Sequence, residues 1–336
     1  MDPLLFSNER TRMKKKIKIA LIDSGINDRF NSQVIEGISI IYDEKKKQVS
    51  FSDDYTDENG HGTYCAQIIN SYCPFVEFVI IKILDKNNRG YSQALTAALE
   101  YLLQFPVDII NLSLAVLQGE LNEKISKLCA RLKNNGVIIN VSVANRELTS
   151  FPASLRSTIG IRGAFNIDKH KIWFNEKIEI QCVANIIPVL VYNHESAKTF
   201  FGGNSKATAL VTGLIANTMY NSKIVGEELF KELAARTKWD ENDIQKEFQS
   251  PEIKYSQELK SFSELVCDLL QLNSSERNKI LEISLFPPAL KLETEQYIYL
   301  IECLAEIYHK NVIPGQFELT EMSNIYTIYN FFNGDK

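Results

Sequence analysis

The chain has 336 residues, 45% of them hydrophobic and 24% charged, with a formal net charge of -5. That balance is ordinary for globular proteins and excludes wholesale disorder, while the length accommodates about two domains at roughly 150 residues each. The longest apolar run, residues 107–117, is too short for a membrane span and carries Asp108 and Asn111, so no membrane partner is expected. The opening MDPLLFSNERTRMKKKIK has charge but no apolar segment of a secretory signal. Six cysteines (Cys65, Cys73, Cys129, Cys182, Cys267, Cys303) show no CxxC spacing, which favours free thiols and a cytoplasmic setting. Residues 226–336 hold 11 Lys+Arg against 20 Asp+Glu, net -9, whereas residues 1–225 are net +4. The acidic part repels phosphates, so nucleic acid is excluded as its partner.

In chain order, residues 17–22 form a short apolar run stopped by Asp23-Ser24-Gly25, the pattern of a buried strand entering a loop. Residues 76–83, 107–114 and 137–143 repeat that pattern. Helical patterns fall between them at 62–70, 92–104 and 122–134, the last with Ile125, Leu128, Cys129 and Leu132 on one stripe and a stop at Asn135-Gly136. Alternating strands and helices predict an α/β fold with a parallel sheet covered on both faces, and in such sheets the chemistry gathers at the carboxyl ends of the strands. Asp23 and Asn145 stand at such ends. A further helix follows the glycines at 202–203, and residues 226–250 read as a polar helix and linker. Helical patterns at 259–272, 294–308 and 325–332, with a long loop containing Pro287-Pro288, predict a small all-α domain over 251–336.

Three motifs follow one another: Asp23-Ser24-Gly25, Asn59-Gly60-His61-Gly62-Thr63 and Gly203-Asn204-Ser205. Each alone reads equally as a turn or a helix cap. Together they supply a carboxylate, an imidazole and a hydroxyl in the order Asp, His, Ser on an α/β background, the set needed for a nucleophile, a base and a group that fixes the base's tautomer.

The likeness extends past the triad, and residues 15–225 resemble the subtilases, the subtilisin-like serine proteases. "IALIDSGI", "NGHGTYCAQII" and "GGNSKATALVTGLIA" are similar to the segments that carry the family's catalytic Asp, His and Ser, implying Asp23, His61 and Ser205. "VIINVSVANRE" resembles the strand ending in the oxyanion-hole Asn, implying Asn145, and "VDIINLSLA" the strand that pairs with substrate, implying Ser113, Leu114 and Ala115. "SFPASL" resembles the loop with a cis proline, here Phe151-Pro152. Against the family pattern, Asn204 stands for Thr, Ala209-Leu210 for Pro-His, Ala144 for Gly and Ser150 for Gly. Ala144, Arg146 and Ser150 are expected at the substrate pocket, with Arg146 favouring an acidic or polar residue before the cleaved bond. Cys65 matches the cysteine of thiol-containing subtilases and is expected to be packing. Asp53, Asp54 and Asp57 lack the spacing of a calcium loop and are expected in a solvated loop, and His170, His194 and His309 lack metal-ligand spacing. No metal is expected.

Residues 251–336 resemble an acyl or peptidyl carrier protein, through "LKLETEQYIYLIECLAEIYHKNVIPGQFELTEMSNIYTIYNFF". Thr294 stands at the family's phosphopantetheine-bearing Ser, so no prosthetic arm is expected, and the domain reads as a docking module. Subtilases joined to such modules resemble maturation proteases of ribosomally made, modified peptides, and no folded propeptide is expected before Asp23. The resemblance implies a cytoplasmic endopeptidase that removes a leader from a precursor peptide, with that peptide or a peptide-modifying enzyme as partner. A general turnover protease and a non-catalytic scaffold are the alternatives.

Overall fold

The computed structural model describes residues 15–334 except 117–118, 194–195, 223, 225, 247, 287–289 and 291. The Pro287-Pro288 loop and His194 lie outside the described residues. The first half alternates strands β1 (Ile17–Asp23), β2 (Val34–Asp43) and β3 (Gln48–Ser52), helix α1 (His61–Tyr72), β4 (Val76–Lys82), α2 (Ser92–Leu102), β5 (Ile109–Leu112), α3 (Asn122–Asn134) and β6 (Ile138–Ser142). Then come β7 (Ile159–Ala164), β8 (Ile172–Phe174), β9 (Cys182–Asn185), the hairpin β10 (Val189–Tyr192) and β11 (Lys198–Phe201), α4 (Gly203–Ser222), α5 (Glu227–Leu233), β12 (Ala234–Arg236) and α6 (Glu241–Gln245). The chain closes with α7 (Gln257–Leu269), α8 (Ser274–Arg277), α9 (Thr294–Ile307) and α10 (Ile325–Asn333).

The main sheet has the order β12-β8-β9-β7-β6-β5-β1-β4-β2-β3. Its centre, from β2 through β4, β1, β5, β6 and β7 to β9, is parallel throughout. Only the β2–β3 and β8–β9 pairs are antiparallel. β1 reads as an unbroken apolar run because both of its faces are covered. Ile19 and Leu21 enter one core beside α1 and α4, whereas Ala20 and Ile22 enter the other beside α2 and α3. The 20-residue α4 carries no amphipathic stripe, since residues all around it are buried, as befits a helix threaded through the core.

Residues 226–250, expected as a helix and linker, belong instead to the body. β12 pairs in parallel with β8, and Arg162 makes a bidentate ion pair with Glu241 of α6, at 2.9 and 2.8 Å. Ile244 and Trp239 close a small core over Trp173 and Val183. High charge concealed this role, because the strand is short and sits at the sheet edge.

The C-terminal helices have a separate core built on Leu259, Phe262, Val266, Leu300, Ile301, Leu304, Ile325 and Ile328. That core also includes Leu190 of β10, with Phe200 of β11 packed against it. Leu190 N–H donates to the Phe317 carbonyl (2.9 Å) and its carbonyl accepts from Gly315 N–H (2.7 Å), so the hairpin before α4 is shared between body and module. Replacing Leu190, which is fully buried, by Ala is expected to destabilise the full chain by about 2–5 kcal/mol. Urea unfolding followed by circular dichroism should show one transition moving to lower urea. Two transitions, of which only one moves, would contradict the shared core.

Candidate active site

Asp23 is the last residue of β1 and is 1% exposed. Its Oδ1 accepts from His61 Nδ1 at 2.7 Å and from Ser24 N–H at 2.8 Å. Among the described residues Oδ2 has no hydrogen-bond partner. His61 opens α1, where a Cβ on the following residue, Gly62, would lie 2.2 Å from the Gly25 carbonyl oxygen. Only glycine lets the helix start come this close to the Asp23 loop.

Asp57 ties the two loops together. Its Oδ1 accepts from Ser24 Oγ (2.9 Å), Asn59 N–H (3.1 Å) and Gly60 N–H (2.7 Å). Its Oδ2 accepts from the Thr63 N–H (2.9 Å) and hydroxyl (2.6 Å), while Ser24 Oγ accepts from Gly62 N–H (3.0 Å). The expectation of a solvated loop is therefore corrected at Asp57, which is 3% exposed, and holds for Asp53 and Asp54. The signal was present in the sequence: Asp57 stands before Asn59-Gly60, at the spacing where a carboxylate bonds backbone N–H groups two and three residues on.

Ser205 lies in the first turn of α4, whose start is fixed by the buried Asn204. The Asn204 side chain accepts from Gly163 N–H (2.9 Å) and donates to the Val143 carbonyl (3.0 Å), spanning the ends of β7 and β6. Asn145 Oδ1 accepts from Asn204 N–H at 3.4 Å, which places the Asn145 amide against the same turn. Ser205 Oγ donates to the Ser113 carbonyl at 3.4 Å. Behind it a buried polar chain runs from Asn140 to Thr212 (2.9 Å), Asn111 (2.9 Å) and the Ser113 hydroxyl (3.0 Å), which also accepts from Cys65 Sγ at 3.5 Å.

One open cleft of about 1200 Å³ lies over part of this set. His61, Ser205, Asn145, Ser113, Leu114, Ala115 and Ala144 all face it. Ser150 does not line it. Its hydroxyl accepts from Ala144 N–H at 2.9 Å and so holds the wall from behind. Arg146 is exposed, at φ +70°, on the turn after Asn145. The Phe151-Pro152 peptide is cis. Thr294, at the carrier-serine position, is the exposed first residue of α9, far along the chain from these groups and outside the cleft lining.

Burial is the largest influence on His61 and pulls its pKa down, but the charge and hydrogen bond of Asp23, with the charge of Asp57, outweigh it, and the net shift is upward from 6.5. The ring also meets the Phe201 ring edge-on, 5.3 Å between centroids, which fixes its tilt. Burial, with the Asp23 charge, pushes the Cys65 thiol well above its ordinary value, so it stays protonated and packs. The ligand-type atoms of Asp23, His61 and Cys65 lie within 4.8 Å of one another, but the carboxylate and imidazole already engage each other.

A carboxylate-bound imidazole and a serine in the first turn of a helix, both lining one cleft at the carboxyl edge of a parallel sheet, are the groups of a subtilisin-like serine endopeptidase. The chain belongs to the subtilase family, whose model matches residues 14–257. It is 29% identical over 161 residues to the minor extracellular protease Epr of Bacillus subtilis (strain 168), covering 44% of this chain and 23% of that longer one. It is 25% identical over 249 residues to an intracellular serine protease of Paenibacillus polymyxa, covering 66% of this chain and 74% of that one. The solved structure of sphericase shares the fold, with a TM-score of 0.52 and 19% identity over 66% of this chain and 82% of that chain. The family match ends at the start of α7. Among the described residues no helix is long and apolar enough to cross a membrane.

Because a general base must be neutral, activity should fall as the pH drops through a His61 pKa lying above 6.5. In Asp23→Asn the surviving activity should show that limb at lower pH, since burial then dominates, and an unmoved limb in the kcat/KM profile would contradict the assignment. Asp57→Ala strands five buried or half-buried donors and should cost about 3–5 kcal/mol of stability in urea titration. A loss under about 1 kcal/mol would mean the loops do not depend on it.

Proposed function

We propose that this protein cleaves peptide bonds through an acyl-enzyme on Ser205, and that its substrate is the leader of a ribosomally made precursor peptide inside the cell. The Ser205 hydroxyl, resting on the Ser113 carbonyl, rotates toward the imidazole and attacks the scissile carbonyl while His61 Nε2 takes its proton. Asp23 holds Nδ1–H and stabilises the imidazolium. The Asn145 side-chain NH2, left free as donor while Oδ1 is engaged, and the Ser205 N–H at the helix start receive the oxyanion. His61 returns the proton to the leaving amine. Water, deprotonated by the same imidazole, then attacks the ester carbonyl, releasing the acid and restoring the Ser205 hydroxyl.

The 2.7 Å Asp23–His61 hydrogen bond, facing Ser205 across one cleft, is the observation that carries the catalytic reading. The leader reading is supported by where the acidic module lies. Glu295, Tyr299, Glu302 and Glu306 fall on one exposed face of α9. A groove between α9 and the β10–β11 hairpin is lined by Tyr192, Lys198, Glu295 and Tyr299. From Lys198 in that groove, β11 leads to Phe201 at the cleft, about 10 Å over three residue steps. A peptide docked on α9 by basic residues thus reaches the scissile site within a short extended segment. The intracellular description of the Paenibacillus relative is in keeping with action in the cytoplasm.

Ser205→Ala should lose all labelling by a fluorophosphonate probe, and labelling that persists would remove Ser205 from the role. Casein should be cut slowly, while a fluorogenic peptide should gain in apparent affinity, its KM falling, when a Lys/Arg-rich segment is appended. Glu295→Lys combined with Glu306→Lys should abolish that gain. Rapid unselective digestion of casein, with no gain from the basic segment, would contradict the leader reading and favour general turnover.

A further inference from the structure

The residue after Ser205 is a lysine with no exposed surface. Lys206 Nζ donates to Asn185 Oδ1 at 2.7 Å and lies 3.3 Å from the Asn185 carbonyl oxygen. Its counter-charge comes from the far end of the chain, Glu318 Oε1, at 3.7 Å. Glu318 is 8% exposed, and among the described residues its Oε1 has no hydrogen bond, so the charges of Lys206 and Lys169 compensate it. Burial draws the Lys206 pKa down to about 8, opposed by Glu318, while Lys169 adds to the lowering, so the ammonium form persists at neutral pH. Burial pushes Glu318 up, opposed by Lys206 and Lys169 and reinforced by Glu321 and Asp168.

The segment that delivers Glu318 is laid along the body. Glu318 forms an antiparallel bridge with Val189, and Leu319 N–H donates to the Pro188 carbonyl at 2.8 Å. Gln316 Nε2 donates to the Ser71 carbonyl at the end of α1, and Lys169 Nζ donates to the Gln316 carbonyl at 3.2 Å. At Gly315, φ +85°, a Cβ would sit 2.7 Å from Ser71 Oγ, so the segment presses on α1 where only glycine fits. The same stretch of body, 185–188, supports the approach to Ser205: Gly203 N–H donates to the Ile186 carbonyl (3.4 Å), and Gly202 lies against Pro188.

We propose that Lys206 and Glu318 form a latch by which the C-terminal module positions Ser205, so that the module is a part of the catalytic machine as well as an appendage to it. An ammonium one residue from the nucleophile is held away from the cleft only while Glu318 and Asn185 receive it. Without Glu318, a buried cation at the positive end of a helix loses its partner, and the first turn of α4 shifts to re-solvate it. Lys206 and Glu318 are positioning residues that act through Ser205 and touch no substrate. The inference rests on Ser205 as nucleophile, as proposed above.

The test measures, on the full chain, the maximal rate of fluorophosphonate labelling of Ser205 and the probe concentration at half that rate. In Glu318→Gln the maximal rate should fall about 10- to 100-fold while the half-maximal concentration stays within about twofold. Adding Lys206→Met to Glu318→Gln removes the stranded charge and should recover part of the rate without reaching the parent's. An unchanged maximal rate in Glu318→Gln, or a loss residing wholly in the half-maximal concentration, would overturn the latch. If Glu318→Gln does not accumulate folded, the double variant decides: a reduced maximal rate supports the latch and the parent's rate overturns it. Failure of the nucleophile assignment is told apart by Ser205→Ala, which would then label like the parent.

Discussion

A carboxylate buried to 1% exposure at the end of a core strand stays charged only if its neighbours replace water, since transferring such an ion out of water costs several kcal/mol. Asp23 receives two such donors on Oδ1, the imidazole of His61 and the N–H of Ser24, and the surrounding loops keep those donors in place. Asp57 locks the Asp23 turn to the start of α1, and glycine at position 62 removes the side chain that would hold the two apart. The parallel sheet then supplies the third group, because β6 and β7 end side by side with β5 and leave Asn204 a pair of partners that fixes the first turn of α4. The geometry of the site is thus a product of strand ends meeting at one edge.

Much of this was legible in the sequence. The apolar runs ending at Asp23 and near Asn145 mark buried parallel strands, and the spacing of His61-Gly62-Thr63 and Gly203-Asn204-Ser205 marks helix starts. What escaped has physical reasons. β2 and β3 form the exposed edge, where only two of their residues are buried and the apolar pattern dissolves. β12 is three residues long inside a charged stretch, so its contribution to the sheet is made by backbone hydrogen bonds that composition does not register. Asp57 looked like one of several surface acids because nothing in its type announces burial; its five bonds come from loop geometry.

The C-terminal helices obey the same logic at lower resolution. Their amphipathic spacing revealed α7, α9 and α10 within a few residues of their bounds. The sequence did not reveal that their core borrows Leu190 and Phe200 from the hairpin feeding α4, nor that residues 315–319 run along β10. Contacts between segments more than a hundred residues apart leave no periodic trace. This shared hairpin makes the acidic module a structural neighbour of Ser205, joined to it by buried side chains as well as by chain connectivity.

The most direct measurement of the central claim is proton NMR of the full chain across a pH titration, following the His61 Nδ1–H. The carboxylate-bound imidazole should give a resonance far downfield of the amide region that persists at neutral pH, titrates with a pKa above 6.5 and vanishes in Asp23→Asn. Absence of that resonance, or a His61 that titrates below 6.5 in the parent protein, would contradict the carboxylate–imidazole contact on which the site is built.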